Sequence, residues 1–329
     1  MGSEILKRMC LAWAFCAAVC GAALGAADAK ADVDRAALAW QIALDRAGFS
    51  PGVIDGKMGV KAQAALREFQ KSRGLPLTGA PDAATAGALG VDPSGAVVSY
   101  RVTAADLAQV GPVPRGWQAK ARQDRLAYPT PEEMLAEKFH CTRALLVRLN
   151  GGRNLSRLAA GEEILVPGVT GTFPAARCER LEIDVSRKVV RALDSAGRAV
   201  AMFHCSVAAD PAKIPLGRAT IVTVVENPRY RFDPRNWPEV KGVGEPLLIP
   251  PGPRNPVGLR WMGLSRAGYG IHGTPSPEMI GKTGSHGCFR LTNWDAIRLS
   301  AMVRPGTPVR IYAGGALPAV DVPGPVARR

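Results

Sequence analysis

A chain of 329 residues is longer than one ordinary domain, so two or three folded units are expected. With 47% hydrophobic and 21% charged residues it sits at globular averages, which excludes a disordered or collagen-like protein. Lys and Arg number 42 against 28 Asp and Glu, and the net +14 calls for an acidic partner, whether nucleic acid, anionic lipid or an acidic polymer.

The chain opens with Lys7 and Arg8, an apolar run of 14 residues from Leu11 to Leu24, and small residues through Ala29. Residues 1–29 read as a secretory signal peptide, because the run is shorter than the ~20 residues that span a bilayer. No later run is long and apolar enough to span, so no stable membrane span is expected after cleavage. The expected location is the periplasm or cell envelope, and export sets nucleic acid aside as a partner. Bulky residues just before Cys16 and Cys20 argue against a lipid-attached cysteine. Four of the seven Cys remain beyond the signal, Cys141, Cys178, Cys205 and Cys288, too few for a disulfide scaffold. A single Cys141–Cys178 bridge stays open.

Residues 32–91 read as a small helical domain. Leu38 and Ile42 share a face of one helix ending at Gly48, and Ala62, Leu66 and Phe69 mark the core side of a second ending at Gly74. Pro81 to Leu89 forms a short third helix, and Phe49 to Gly59 is a turn-rich connector. The arrangement of Gln41, Gly48-Phe49, Asp55-Gly56, Gly59, Phe69-Gln70, Gly74-Leu75, Gly79 and Leu89 resembles the three-helix peptidoglycan-binding domain. Taken singly, each of these residues serves equally well as turn or core.

Residues 92–123 are rich in Gly, Pro, Ala and Ser and read as a linker with one docked strand or short helix. In 124–170, Thr130 opens a helix, Leu145, Leu146 and Leu149 lie on a second, and Ile164-Leu165-Val166-Pro167 follows Gly161 as a strand. That order resembles a degenerate LysM module, a small α/β glycan-binding fold. From Cys178 the period changes. Leu181, Ile183 and Val185 alternate with polar residues, and Val189–Leu193 and Val200–Val207 continue a β-meander. Ala219 to Val225 and Val309 to Tyr312 read as strands, with one helix opening at Thr292 between them. The third unit thus spans 178–313, with a tail over 314–329.

Two segments of this unit carry chemistry: Ile271-His272-Gly273-Thr274 and Ser285-His286-Gly287-Cys288-Phe289-Arg290. A thiol attacks as thiolate and needs a nearby base or cation. Two His flank Cys288, and the backbone N–H groups of Gly287 and Cys288 are placed to receive an oxyanion. The residues alone suggest acyl transfer by a cysteine, with a structural Cys beside two polar turn histidines as the alternative. Zinc bound by His272, His286 and Cys288 is a weaker reading, since motifs such as His-Glu-x-x-His are absent. His204-Cys205 and His140-Cys141 read as core Cys beside surface His. Asn227 to Pro238 mixes Arg with aromatics and reads as a lid over the pocket.

The order of these motifs, with Ile280-Gly281 between them and Ile214-Pro215-Leu216-Gly217, Pro250 to Gly258 and Tyr269-Gly270 upstream, resembles the L,D-transpeptidase (YkuD-type) catalytic domain over 179–312. The resemblance implies a mainly β fold of sandwich or barrel-like form. It implies Cys288 as nucleophile, His272 as base oriented by the Gly273 carbonyl, His286 lining the site, and Gly287 and Cys288 amides as the oxyanion hole. Arg290 is a candidate for substrate carboxylates, with Ser285, Thr274, Tyr269 and Trp261 as further substrate contacts. Ile214, Phe289 and Trp261-Met262 depart from the usual pattern and bear on pocket shape.

The implied function is peptidoglycan L,D-transpeptidation. A stem tetrapeptide forms a thioester with loss of D-Ala, and another stem's amine resolves it into a 3→3 cross-link, with no metal or organic cofactor. The implied partners are stem tetrapeptides and glycan strands. Alternatives keep the acyl-enzyme but change the acceptor to water, a D-amino acid or a wall-attached lipoprotein; a non-catalytic wall-binding protein is a further one. Carbapenems are implied as acylating agents. Residues 179–312 carry 19 basic and 11 acidic side chains, more than half of the net +14, which points to a carboxylate-bearing polymer met at the active site.

Overall fold

The computed structural model describes residues 33–169, 173, 177–237 and 240–314. The signal-peptide reading and most of the C-terminal tail lie outside the described residues.

Three helices form the first unit. Helix α1 (Arg35–Arg46) begins where the Asp34 carboxylate accepts the Ala37 N–H. It is followed by α2 (Val60–Ser72) and α3 (Ala83–Leu89). Asp82 caps α3 through the Thr85 N–H, and Gly90 closes it with a left-handed φ of 65°. Two buried glutamines knit the connecting loops. The Gln41 amide donates to Asp55 and to the Lys57 carbonyl and accepts the Asp55 and Gly56 N–H groups. Gln70 does the same for Thr78, Asp82, Thr85 and the Gly79 N–H.

Strand β1 (Val97–Arg101), short helices α4 (Ala104–Leu107) and α5 (Trp117–Ala121), then α6 (Pro131–Lys138) and α7 (Arg143–Leu149) lead to β2 (Glu163–Pro167). β1 and β2 pair antiparallel over their whole length, Val97 opposite Pro167 and Arg101 opposite Glu163. The docked strand expected within 92–123 is thus β1, which makes half of the two-stranded sheet with β2. Tyr128, Leu135, Phe139, Leu146 and Val166 share its buried core.

The third unit holds β3 (Arg180–Asp184), β4 (Val189–Leu193), β5 (Ala199–His204), β6 (Gly217–Glu226), β7 (Tyr230–Phe232), β8 (Leu247–Ile249), β9 (Arg260–Leu264), β10 (Gly270–His272), β11 (Phe289–Arg290), α8 (Asn293–Met302) and β12 (Pro308–Tyr312). Eight strands form one sheet in the order β11-β10-β9-β6-β12-β3-β4-β5, and β7 with β8 makes a separate hairpin. Among the described strands of this sheet only β10–β11 and β12–β3 pair parallel, and each pair is joined by a long connection, not a hairpin. α8 opens where Thr292 Oγ1 accepts the Asp295 N–H and packs Ala296, Leu299 and Met302 against the sheet core. The mainly β catalytic-type domain behind a helical one is the expected fold.

The three units are docked, not strung on tethers. Leu44, Phe49, Leu66 and Phe69 of the first share one apolar cluster with Val189 and Met202 of the third. Glu68 pairs with Arg191 through two hydrogen bonds of 2.9 and 2.5 Å. This docking corrects two readings. His204 is buried, not exposed, with Nε2 3.1 Å from the Lys61 carbonyl, and burial pulls its pKa to about 4. His140 bridges units, with Nδ1 3.1 Å from Asp45 and its ring stacked on Trp294. Cys141 and Cys178 are free buried thiols, so the bridge left open is not formed.

Candidate active site

His272 ends β10, where the in-register residues are Trp261 on β9 and Arg290 on β11. The Trp261 ring lies nearly parallel to the imidazole, with centroids 5.6 Å apart. His272 Nδ1 is 2.7 Å from the Gly273 carbonyl oxygen. A carbonyl only accepts, so Nδ1 carries the proton and Nε2 keeps its lone pair. Burial lowers His272 to about 4, with the Gly273 carbonyl opposing and Arg290 assisting. The imidazole is therefore neutral across ordinary pH.

Cys288 immediately precedes β11, which places it beside the start of β10, and its Sγ lies 3.6 Å from the Gly268 carbonyl oxygen. Burial pushes the thiol up; a Gly270 backbone hydrogen bond and the Arg290 charge pull the other way. The resting pair is thiol and neutral imidazole. The other three described thiols are more deeply enclosed, and burial drives Cys178 to about 11 and Cys205 to about 12.

Both residues line a cavity of about 580 Å³, together with Trp261, Tyr269, Ser285, His286, Gly287 and Arg290. His286 is exposed, and its ring lies 4.1 Å from that of Trp237. Trp237 and Tyr230 come from the hairpin segment read as a lid, and they do flank the cavity. The hairpin is propped from behind by Trp117 of α5, stacked on Phe232 at 3.9 Å.

The surroundings of the expected contact residues are as follows. Ser285 Oγ donates to the Cys288 carbonyl at 2.5 Å and accepts the Gly287 N–H at 3.2 Å, so the hydroxyl braces the nucleophile loop. The same bond engages the Gly287 N–H, leaving the Cys288 N–H of the expected oxyanion pair. Thr274 is buried, accepts the Ser276 N–H, and lines a neighbouring cavity of about 270 Å³ instead. Arg290 donates to the Gly284 carbonyl at 3.2 Å, and no ion pair among the described residues uses it. Its half-buried charge borders both cavities. Tyr269 covers Gly287, where an added Cβ would lie 3.1 Å from the ring.

Sequence reasoning missed Asn293. It is fully buried, accepts the Leu259 N–H at 3.1 Å, and abuts Gly273. Among the described residues no group of three or more His, Cys, Asp or Glu side chains could hold a metal ion. No described helix is long and apolar enough to cross a membrane.

The family model for the L,D-transpeptidase catalytic domain (YkuD) matches residues 179–311, and that described as "Putative peptidoglycan binding domain" matches 36–89. The chain is 30% identical over 179 residues to "Putative L,D-transpeptidase YkuD" of Bacillus licheniformis, covering 54% of this chain and 92% of that protein. It is 45% identical over 74 residues to "Probable L,D-transpeptidase YbiS" of Escherichia coli K12, covering 22% and 24% of the two chains. An L,D-transpeptidase structure from Xylanimonas cellulosilytica aligns over 84% of this chain and 92% of that one, at 18% identity and a TM-score of 0.35. On the extent of the Bacillus match and the catalytic-domain match together, the chain belongs to the L,D-transpeptidase family.

Proposed function

We propose that the protein is an exported peptidoglycan L,D-transpeptidase that forms 3→3 cross-links through a Cys288 thioester. The observation that carries this is the orientation of His272, whose Nδ1–H is held by the Gly273 carbonyl while its ring and Cys288 line one cavity.

The Cys288 Sγ would attack the carbonyl of the L-configured centre of the diamino acid at stem position three. With the thiol pushed up and the imidazole held low, the proton passes from Sγ to His272 Nε2 as the C–S bond forms, not before. The tetrahedral oxyanion is received by the Cys288 N–H. Collapse breaks the C–N bond to D-Ala, and His272 returns its proton to the leaving amine. The side-chain amine of a second stem then attacks the thioester, gives up a proton to His272, and releases the thiol.

Arg290, with no carboxylate partner among the described residues, is assigned to substrate carboxylates, and Trp237, His286 and Tyr230 wall the peptide's path. The peptidoglycan-binding domain and the LysM-like middle unit would hold the wall polymer, and residues 1–29 would direct export to the periplasm or cell envelope.

Incubation with a disaccharide-tetrapeptide followed by mass spectrometry tests this. Dimers lacking one D-Ala are expected. Unchanged substrate contradicts the acyl-enzyme, and tripeptide alone moves the acceptor from amine to water.

A further inference from the structure

We propose that Glu137, on α6 of the middle unit, is a positioning residue for His272 that acts through Asn293. The proposal rests on the transpeptidase reading of the site and adds a dependence of that site on a module outside the catalytic domain.

Asn293 is the first residue of α8 and fully buried. Its Oδ1 accepts the Leu259 N–H at 3.1 Å, and its Nδ2 donates to Glu137 Oε1 at 2.9 Å and to the Pro253 carbonyl at 3.4 Å. A backbone N–H can only donate and the carbonyl only accept, so both ends agree on one orientation of the amide. Oδ1 is wedged between two glycines. A Cβ built on Gly258 would lie 2.1 Å from it and one on Gly273 2.2 Å from it. The turn after His272 thus packs directly against this amide. Gly273 in turn supplies the carbonyl that fixes the His272 tautomer.

Glu137 holds the far end of this series. Its Oε1 accepts both the Asn293 amide and the Tyr128 hydroxyl, the latter at 2.7 Å. The same helix makes a second tie to the same turn. Glu133 pairs with Arg254 at 2.9 Å, and Arg254 donates to the Pro275 carbonyl at 3.3 Å, two residues beyond Gly273. Burial raises Glu137 to about 7, against Tyr128, Asn293 and Arg254 and with Glu133. One oxygen accepts both bonds whether the group is ionised or not, so a glutamine oxygen can serve in its place, whereas an apolar side chain cannot.

The test uses the full chain and the rate of Cys288 alkylation by iodoacetamide against pH, read by mass spectrometry; the other described thiols are buried. Glu137→Gln is expected to match the wild type. Glu137→Leu is expected to slow alkylation roughly 10- to 100-fold and to flatten the limb set by His272. Asn293→Ala should lose as much, and the double variant no more than either. Glu137→Ala replaces Glu137→Leu if the latter does not fold. A folded Glu137→Leu or Glu137→Ala protein with the wild-type rate and profile overturns the proposal, as do losses that multiply in the double variant. Alkylation reads the link to His272 alone, while cross-linked products read the transpeptidase assignment, so either can fail without the other.

Discussion

Arg298 on α8 and Asp45 on α1 meet through two parallel hydrogen bonds of 2.8 and 2.7 Å, joining the catalytic unit to the peptidoglycan-binding unit inside a buried junction. His140 of the middle unit completes the contact, and Ser50 donates to the neighbouring Asp295 at 2.9 Å. Burial alone would raise Asp45, but His140 and Arg298 outweigh it and hold the carboxyl well below the usual range.

Arg298→Ala leaves that carboxylate enclosed with its two-bonded guanidinium partner removed, and a loss of about 3–5 kcal/mol in unfolding free energy is expected by urea titration. A loss under ~1 kcal/mol contradicts the account of the junction. Because the folded Asp45 lies below its unfolded value, its contribution is complete above pH ~4 and is lost as pH falls further, so the variant and wild type converge in acid.

The pH dependence of acylation follows from His272. The base must be neutral, and burial holds its folded pKa to about 4, so activity persists as pH falls and drops only through about 4. An acid limb centred near the free-imidazole value of ~6.5 contradicts this. The same depression, shared by His204 at about 4, removes stability as pH falls below ~6.5 toward that value.

Ser285→Ala separates bracing from substrate contact. Losing the hydroxyl frees the Cys288 carbonyl and orphans the buried Gly287 N–H, which costs about 1–3 kcal/mol of stability. Acylation is expected to slow by roughly tenfold through a displaced nucleophile. A raised KM with unchanged kcat would return Ser285 to the substrate-binding set.

Much of this was legible locally. The Ser285-to-Arg290 and Ile271-to-Thr274 segments carry the site because a cysteine acyl-transfer centre needs thiol, base and flexible glycines in close order. The caps at Thr130 and Thr292 mark helix starts by short-range hydrogen bonding. The sequence marks a docked strand or helix within 92–123 but not which, because Val97-Val98 sits in Gly- and Pro-rich chain and its partners lie about 60 to 70 residues away. The burial of His140 and His204 is not legible in the sequence, because local pattern shows which face a side chain takes, not whether another unit covers that face. Asn293 gave no signal, since the fold of the catalytic unit alone sets it between Gly258 and Gly273 and docking of the middle unit alone brings Glu137 to it.

The central claim is a covalent acyl-enzyme on one thiol, and intact-mass measurement after incubation with a carbapenem tests it most directly. One equivalent of added mass is predicted on the wild-type protein and none on Cys288→Ala. Mass added equally to both proteins, or to neither, contradicts it.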